Sequence, residues 1–172
     1  MNKKAIIALL SGLAALCIVN MSILKKETLL QDGETIFLKL APVDPRSLIQ
    51  GDYMALRFDI SNDIRLHLQQ QNKGASFPPQ DGVVVVTLTD NSVGKFNRMS
   101  NTQELAANER VLQYRIRNNQ VKFATNAFFF QEGSAEIYEK AEYGEFRTAQ
   151  DGDLLLTGLR DESLVKLGPY RK

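Results

Sequence analysis

The chain has 172 residues, with 21 Lys and Arg against 20 Asp and Glu, so its formal net charge is only +1. This length suits one domain with a hydrophobic core and leaves too little chain for two. No long block of one charge sign occurs, which argues against nucleic acid as a partner, and the single cysteine, Cys17, excludes an internal disulfide.

The first predicted element is a transmembrane helix. Residues 5–24 contain no charged residue, and pairs of lysines flank them at residues 3–4 and 25–26. A helix of about 20 residues spans about 30 Å, the thickness of the hydrocarbon core of a bilayer. A short N-terminus stays inside more easily than the long remainder. We therefore expect a single-pass inner-membrane protein, with residues 1–4 cytoplasmic, 5–24 as the anchor, and 25–172 as one extracytoplasmic domain in the periplasm.

Two other interpretations of this segment stay open. A cleaved signal peptide has the same early lysines and apolar run, but it needs small residues at its exit. Here the run ends in Val-Asn-Met-Ser-Ile-Leu, without an A-x-A pattern. A lipoprotein signal would make Cys17 the acylated N-terminus, but Leu16 precedes it where a small residue is expected. The uncleaved anchor is the preferred interpretation.

The pattern then changes from helical to extended. Asp32-Gly33 is a natural turn, and the apolar and polar alternation over residues 35–40 predicts a first strand. Prolines prevent regular strand pairing and force the residue before them into extended geometry. Pro42 and Pro45 therefore predict an ordered loop over residues 41–50.

A second strand and a helix follow this loop. Gly51-Asp52 precedes an alternating stretch over residues 53–60, which predicts the strand. Residues 61–71 fit helical and extended patterns alike, and we predict a short helix with Asp63 in its first turn. The glycines and prolines of residues 72–82 predict a surface loop.

The second half of the chain predicts a series of strands joined by turns. Residues 83–89 are a β-branched run, typical of a strand buried on both faces. Ser134 looks like the cap of a second short helix, residues 134–141. The other predicted strands are residues 95–99 after Asp90-Asn91, residues 111–117, residues 121–125 after Asn118-Asn119, residues 127–130, and residues 146–149 and 154–159 about Asp151-Gly152.

Nine predicted strands against two short helices make the domain mainly β, in an α+β arrangement. We expect one N-terminal transmembrane helix followed by a single β-rich domain. Its strands should form a barrel-like or curved antiparallel sheet.

The most specific motif is Gly51-Asp52-Tyr53, followed by Leu56 and the aromatic Phe58. It resembles the motif of the GDYXXLXY family, a group of small membrane-anchored bacterial proteins of unestablished biochemical activity. Phe58 stands where the family name has tyrosine, which removes a hydroxyl and keeps the ring. Asp44-Pro45-Arg46 upstream and Glu132-Gly133 downstream also look like family positions, so the resemblance covers nearly the whole chain.

The resemblance implies an extracytoplasmic domain tied to one helix and often encoded beside larger multi-helix membrane proteins. We therefore expect a non-enzymatic accessory or binding module that acts with a multi-spanning membrane protein. A purely structural, wall-associated protein is a further alternative.

The motif itself has a structural and a functional interpretation. In the structural one, Pro45 sets a turn, Gly51 supplies a special backbone shape, and Tyr53 anchors the strand in the core, as does Leu56. In the functional one, charged side chains line a groove that binds a peptide, a lipid headgroup or a partner protein, and these are Arg46, Asp52 and Glu132.

Enzymatic patterns are weak. The alternative function is a cell-envelope hydrolase with a polar site around Asp44, Arg46, Asp52 and Glu132. However, no G-x-S-x-G surrounds a serine, and a histidine-dependent triad would have to use His67, the only histidine. Metal-ligand spacing, a phosphate-binding glycine loop and a dinucleotide fingerprint are also missing from the sequence. We therefore predict no catalytic residue, metal or cofactor.

Overall fold

The structure is a computed structural model. It describes residues 3–41, 49–50, 53–71, 77–99, 104–125 and 127–168. The chain divides into two compact units, Met1–Gly33 and Glu34–Lys172.

The first unit is a single long helix, α1 (Lys3–Asp32), of 30 residues. Its polar side chains bond within the helix: Ser11 Oγ, Asn20 Nδ2 and Ser22 Oγ each donate to the carbonyl four residues earlier, at 2.9, 2.8 and 3.0 Å. A polar side chain that satisfies itself in this way costs less in hydrocarbon. The helix ends at Gly33, whose N–H donates to Leu29 O at 3.0 Å.

One helix among the described residues is long and apolar enough to cross a membrane, over Leu9–Asp32. The predicted anchor, residues 5–24, lies within α1, and the helix continues for two further turns beyond it. An N-terminal apolar helix of this kind indicates a membrane anchor or a signal sequence.

The second unit, in its described residues, is built from ten short strands and two short helices. The strands are β1 (Glu34–Lys39), β2 (Ile49–Gln50), β3 (Tyr53–Ala55), β4 (Gln80–Leu88), β5 (Gly94–Met99), β6 (Glu109–Arg117), β7 (Gln120–Lys122), β8 (Ala127–Phe129), β9 (Tyr143–Thr148) and β10 (Leu154–Arg160). The helices are α2 (Ile60–Gln71) and α3 (Ala135–Tyr138).

All strand pairs within the three sheets are antiparallel, in the orders β1-β9-β10, β2-β3-β8 and β5-β4-β6-β7. Isolated bridges connect the sheets. Phe37 in β1 bridges to Val93, just before β5, and Leu40 bridges to Phe58. The strands therefore form a curled β structure rather than separate layers, and the predicted fold class is confirmed.

Burial follows the sequence patterns closely. Val84, Val85 and Val86 are all buried, so β4 is covered on both faces, as its β-branched run predicts. In β6 every second residue from Leu112 onward is buried, and in the hairpin to β7 the predicted Asn118-Asn119 turn has φ of 52° and 60°. Two positive φ values define a type I′ turn, which matches the twist of the flanking strands.

The helix α2 confirms the preferred prediction for residues 61–71. Its apolar face, Ile60, Ile64 and Leu68, is buried, and Asp63 lies in its first turn. The helix packs against β5 and β7. Because Ile60 belongs to this face, the helix begins one residue earlier than predicted.

Several predicted elements are shorter than expected, among them the strand predicted over residues 121–125, which ends at Lys122. The strand predicted over residues 53–60 is β3, which covers Tyr53–Ala55 and pairs with the described residues of β8 over that length. The helix predicted over residues 134–141 covers only Ala135–Tyr138, and Ser134 forms no side-chain cap hydrogen bond. The chain leaves that helix early because Glu142 N already donates to Arg160 O beside β10, at 2.8 Å. Tertiary pairing here overrides local helix propensity.

Candidate functional site

The described residues include Tyr53, Leu56, Glu132 and Gly133 of the predicted motif. The other predicted site residues lie outside the described residues, and these are Asp44, Pro45, Arg46, Gly51 and Asp52. The roles expected for these five residues stay predictions, as does the hydrolase interpretation, which depends on three of them.

The apolar half of the motif lies in the core. Leu56 is buried, and Phe58 is 3% exposed. The Phe58 ring makes edge contacts with Phe123 and Phe146, at centroid distances of 6.1 and 5.3 Å. A Cβ on Gly144 would lie 2.8 Å from the Phe58 ring, so this glycine is needed for the close approach. Leu56 and Phe58 therefore hold the end of the motif on the core.

Tyr53 lies in an aromatic cluster around β8. It pairs with Phe129 in the sheet, and the two rings are 5.7 Å apart. Phe128 and Phe130 each contact the ring of Tyr138 at 5.1 Å. These five residues around β8, which form one ring pair and one group of three rings, are called the aromatic cluster below. Phe129 is 64% exposed, which leaves a large apolar ring in contact with solvent.

A cavity of about 310 Å³ opens beside the aromatic cluster. Phe128, Phe129, Phe130 and Tyr138 line it together with residues near the end of β10. Glu132-Gly133 forms the turn that follows β8, where Glu132 is exposed and Gly133 has a φ of +78°. A Cβ on Gly133 would meet nothing within 4 Å, so its positive φ, and not space, favours glycine there. Tyr53 pairs with β8, and the Glu132-Gly133 turn follows β8. The fold thus places both parts of the motif at this one short strand.

A second cavity, of about 420 Å³, contains three cationic side chains: Arg57, Arg65 and Lys122. We call it the basic cleft. Its other lining residues are apolar or uncharged polar, and they are Ala41, Ala55, Leu56, Phe58, Ser61, Asn62, Asn119, Gln120 and Val121. Among the described residues of this lining there is no carboxylate. The sequence prediction missed the cleft, although Arg57 belongs to the motif as the residue between Leu56 and Phe58.

Three separate elements supply these cations. Arg57 lies between the buried residues Leu56 and Phe58. Because side chains alternate between the two faces of an extended chain, the side chain of Arg57 is exposed. Arg65 is exposed on α2, next to the buried Ile64. Lys122 ends β7 after the Asn118-Asn119 hairpin. Within the described part of the chain, none of the three cations forms an ion pair or a side-chain hydrogen bond.

Other arginines of the domain are held by carboxylates. Arg98 Nη1 and Nη2 donate to the two oxygens of Glu109, at 2.5 and 2.9 Å. Asn97 Nδ2 and the N–H of Ala106 also donate to Glu109, at 2.7 and 3.1 Å. These hydrogen bonds, above all those from Arg98, lower the pKa of Glu109 below its ordinary value. Similar ion pairs join Arg110 to Glu34, Arg117 to Asp81, and Arg160 to Glu145.

A third cavity, of about 500 Å³, is lined by charges of both signs. Lys39 and Lys95 lie there with Asp59 and Asp63. Burial, and then the charge of Asp59, raises the pKa of Asp63. Since the two lysines balance the two carboxylates, the lining of this cavity does not carry charge of one sign only, whereas the basic cleft does.

The single histidine of the chain lies among the described residues. His67 packs against the ring of Phe96 at 6.3 Å, on the half-buried side of α2. No group of three or more His, Cys, Asp or Glu side chains that could hold a metal ion occurs in the described ranges.

Comparison with known proteins identifies the family. Searches of curated proteins and of solved structures return no match to this chain. The family model described as GDYXXLXY protein matches residues 15–159, from the middle of α1 to the end of β10. Because this match covers most of the chain and includes the motif, the chain belongs to the GDYXXLXY family.

Proposed function

We propose that this protein is a membrane-anchored, non-enzymatic accessory module that binds a multi-spanning membrane protein through the aromatic cluster. In this proposal residues 1–4 are cytoplasmic, residues 5–24 form the uncleaved anchor, and residues 25–172 form a periplasmic domain. The observation that carries the proposal is the exposed ring of Phe129 in contact with Tyr53 of the family motif.

The helix α1 supports the anchor. Its apolar side chains, such as Ile18 and Met21, are exposed along its length, which suits contact with lipid. Its polar side chains bond to backbone carbonyls of the same helix, so they bring no unsatisfied donor into hydrocarbon.

The aromatic cluster supports a protein partner. Aromatic residues are enriched in the buried centres of protein interfaces, because they bury much apolar area with few rotatable bonds. Phe129 is fixed against Tyr53, so little conformational entropy remains to be lost when a partner covers it. The adjoining cavity can accept a side chain of the partner, and the exposed Glu132 supplies a polar rim.

Site-specific photo-crosslinking in intact membranes tests the proposal. A photo-reactive phenylalanine analogue is placed at Phe129 in one variant and at Leu105 in a matched control. Leu105 is an exposed apolar residue outside the cluster, at 45% exposure. We expect the Phe129 position to capture one specific polytopic membrane protein, identified by mass spectrometry, and the Leu105 position not to capture it. Identical products from both positions would contradict the proposal.

Anchor and orientation need a separate test. In spheroplasts, a membrane-impermeant thiol reagent should label a Lys140→Cys variant, because Lys140 is exposed in the domain. The native Cys17 should stay unlabelled within the bilayer. Recovery of the full-length native chain from the cytosolic fraction would refute the proposed localisation.

A further inference from the structure

The basic cleft brings three positively charged side chains together. Arg57, Arg65 and Lys122 line one cavity, and none of the described residues that line it with them is a carboxylate. Like charges gathered around one concave surface repel one another, and a bound anion removes that repulsion.

We propose that the basic cleft is a binding site for a phosphate group, carried either by a lipid headgroup or by a free phosphate. Guanidinium groups bind phosphate oxygens through paired, charge-assisted hydrogen bonds, and lysine adds a point charge. The uncharged polar residues of the lining, Ser61, Asn62, Asn119 and Gln120, provide further hydrogen-bond donors.

The charge and the size of the cleft favour this ligand class. A free phosphate or a phosphate monoester carries about 1.5 to 2 negative charges and matches three cations better than a carboxylate does, whereas a phosphodiester headgroup such as that of phosphatidylglycerol carries only one. The volume of about 420 Å³ is larger than a phosphate alone requires and lies in the range of small-molecule sites. The apolar part of the lining, Leu56, Phe58 and Val121, can accept an organic group attached to the phosphate.

The position of the cleft connects it to the family motif. Leu56, Arg57 and Phe58 are consecutive, and the first and last of them are buried in the core. This arrangement fixes the backbone of Arg57 at the cleft. On the other side, Ile64 fixes α2 in the core beside the exposed Arg65. Two of the three cations therefore project from rigidly packed backbone, which reduces the entropy lost on binding.

Titration calorimetry on the full-length protein in a nonionic detergent, in buffer without phosphate or sulfate, tests this site. One arm uses inorganic phosphate, and the other uses dihexanoyl-phosphatidylglycerol, a soluble short-chain lipid. We expect saturable binding of at least one probe that weakens as NaCl screens the charges. Binding of phosphate alone assigns the site to a free phosphate, whereas tighter binding of the lipid assigns it to a headgroup.

Charge-removing variants decide whether the cleft is responsible. Arg57→Gln and Arg65→Gln should each weaken binding about tenfold or more, because each removes a charged hydrogen-bonding partner. The control Lys140→Gln, which removes one exposed positive charge outside the cleft, should bind like the wild type. Melting curves of every variant verify folding, and Lys122→Gln replaces any variant that does not fold.

Two results would overturn the proposal: binding of neither probe by the wild type, or wild-type affinity in folded variants that lack Arg57 or Arg65. The result of this binding experiment does not depend on whether the proposed membrane-protein partner is found. A Phe129→Ala variant should keep the anion site, since Phe129 belongs to the proposed partner surface and does not line the cleft.

Discussion

The Glu109 network and the basic cleft use the same kinds of side chain in opposite ways. In the network, Arg98 and Asn97 surround a carboxylate that is only 9% exposed, and every contact to Glu109 is a hydrogen bond of 3.1 Å or less. In the cleft, Arg57 and Arg65 line an open cavity and form no ion pair with any described residue.

The difference separates charges that hold the fold from charges that remain available to a ligand. A carboxylate out of water needs hydrogen bonds from its neighbours, and removing one partner leaves the other uncompensated. An exposed arginine without a partner contributes little to the free energy of unfolding. Mutations in the network should therefore lower the stability of the fold, and mutations in the cleft should weaken ligand binding.

The largest expected effect tests whether Phe58, which also lines the basic cleft, is a residue of the hydrophobic core. Phe58→Ala should lower the free energy of unfolding by about 3–5 kcal/mol, because it leaves a cavity between Phe123 and Phe146. The matched change Phe129→Ala, at an exposed ring, should cost much less. Urea titration of the full-length protein measures both. Equal losses would mean that Phe58 is not a core residue.

The next effect tests the network. Glu109→Gln should lower the melting temperature clearly, because the Arg98 guanidinium loses its bidentate partner. Glu139→Gln removes an exposed carboxylate after α3 and should leave the melting temperature almost unchanged. If both variants melt alike, the network does not stabilise the fold.

The network also predicts a pH dependence. The folded pKa of Glu109 lies below its unfolded value of about 4.3. Its stabilising contribution is therefore complete well above that value and is lost as pH falls through the folded pKa. The gap in melting temperature between wild type and Glu109→Gln should be constant near neutral pH and narrow on acidification. A gap that stays constant down to pH 3 would contradict the assignment.

The smallest expected effect on stability belongs to the cleft. Arg57→Gln and Arg65→Gln should change the free energy of unfolding by no more than about 0.5 kcal/mol, as is usual for surface substitutions. A small gain is consistent with relief of repulsion between like charges. A loss above about 1 kcal/mol in either variant would place that arginine among the structural charges, with Arg98.

Much of the fold could be predicted from local patterns. The uncharged run of residues 5–24 gave the long helix, and the β-branched run of β4 gave a strand buried on both faces. The Asn118-Asn119 pair gave a hairpin with the expected positive φ values. Each of these signals depends on residues that are neighbours along the chain, where turn chemistry and periodicity act directly.

The sequence by itself determined the membrane-type helix, the β-rich class and the family motif, because composition, periodicity and turn residues are local properties. Only the tertiary structure decided that β3 stops at Ala55, that Tyr53 meets Phe129, and that Arg57, Arg65 and Lys122 line one cavity. The physical reason is that these arrangements follow from strand pairing and helix packing between distant segments. Such contacts depend on which surfaces fit together in the core, and residue order alone does not show them.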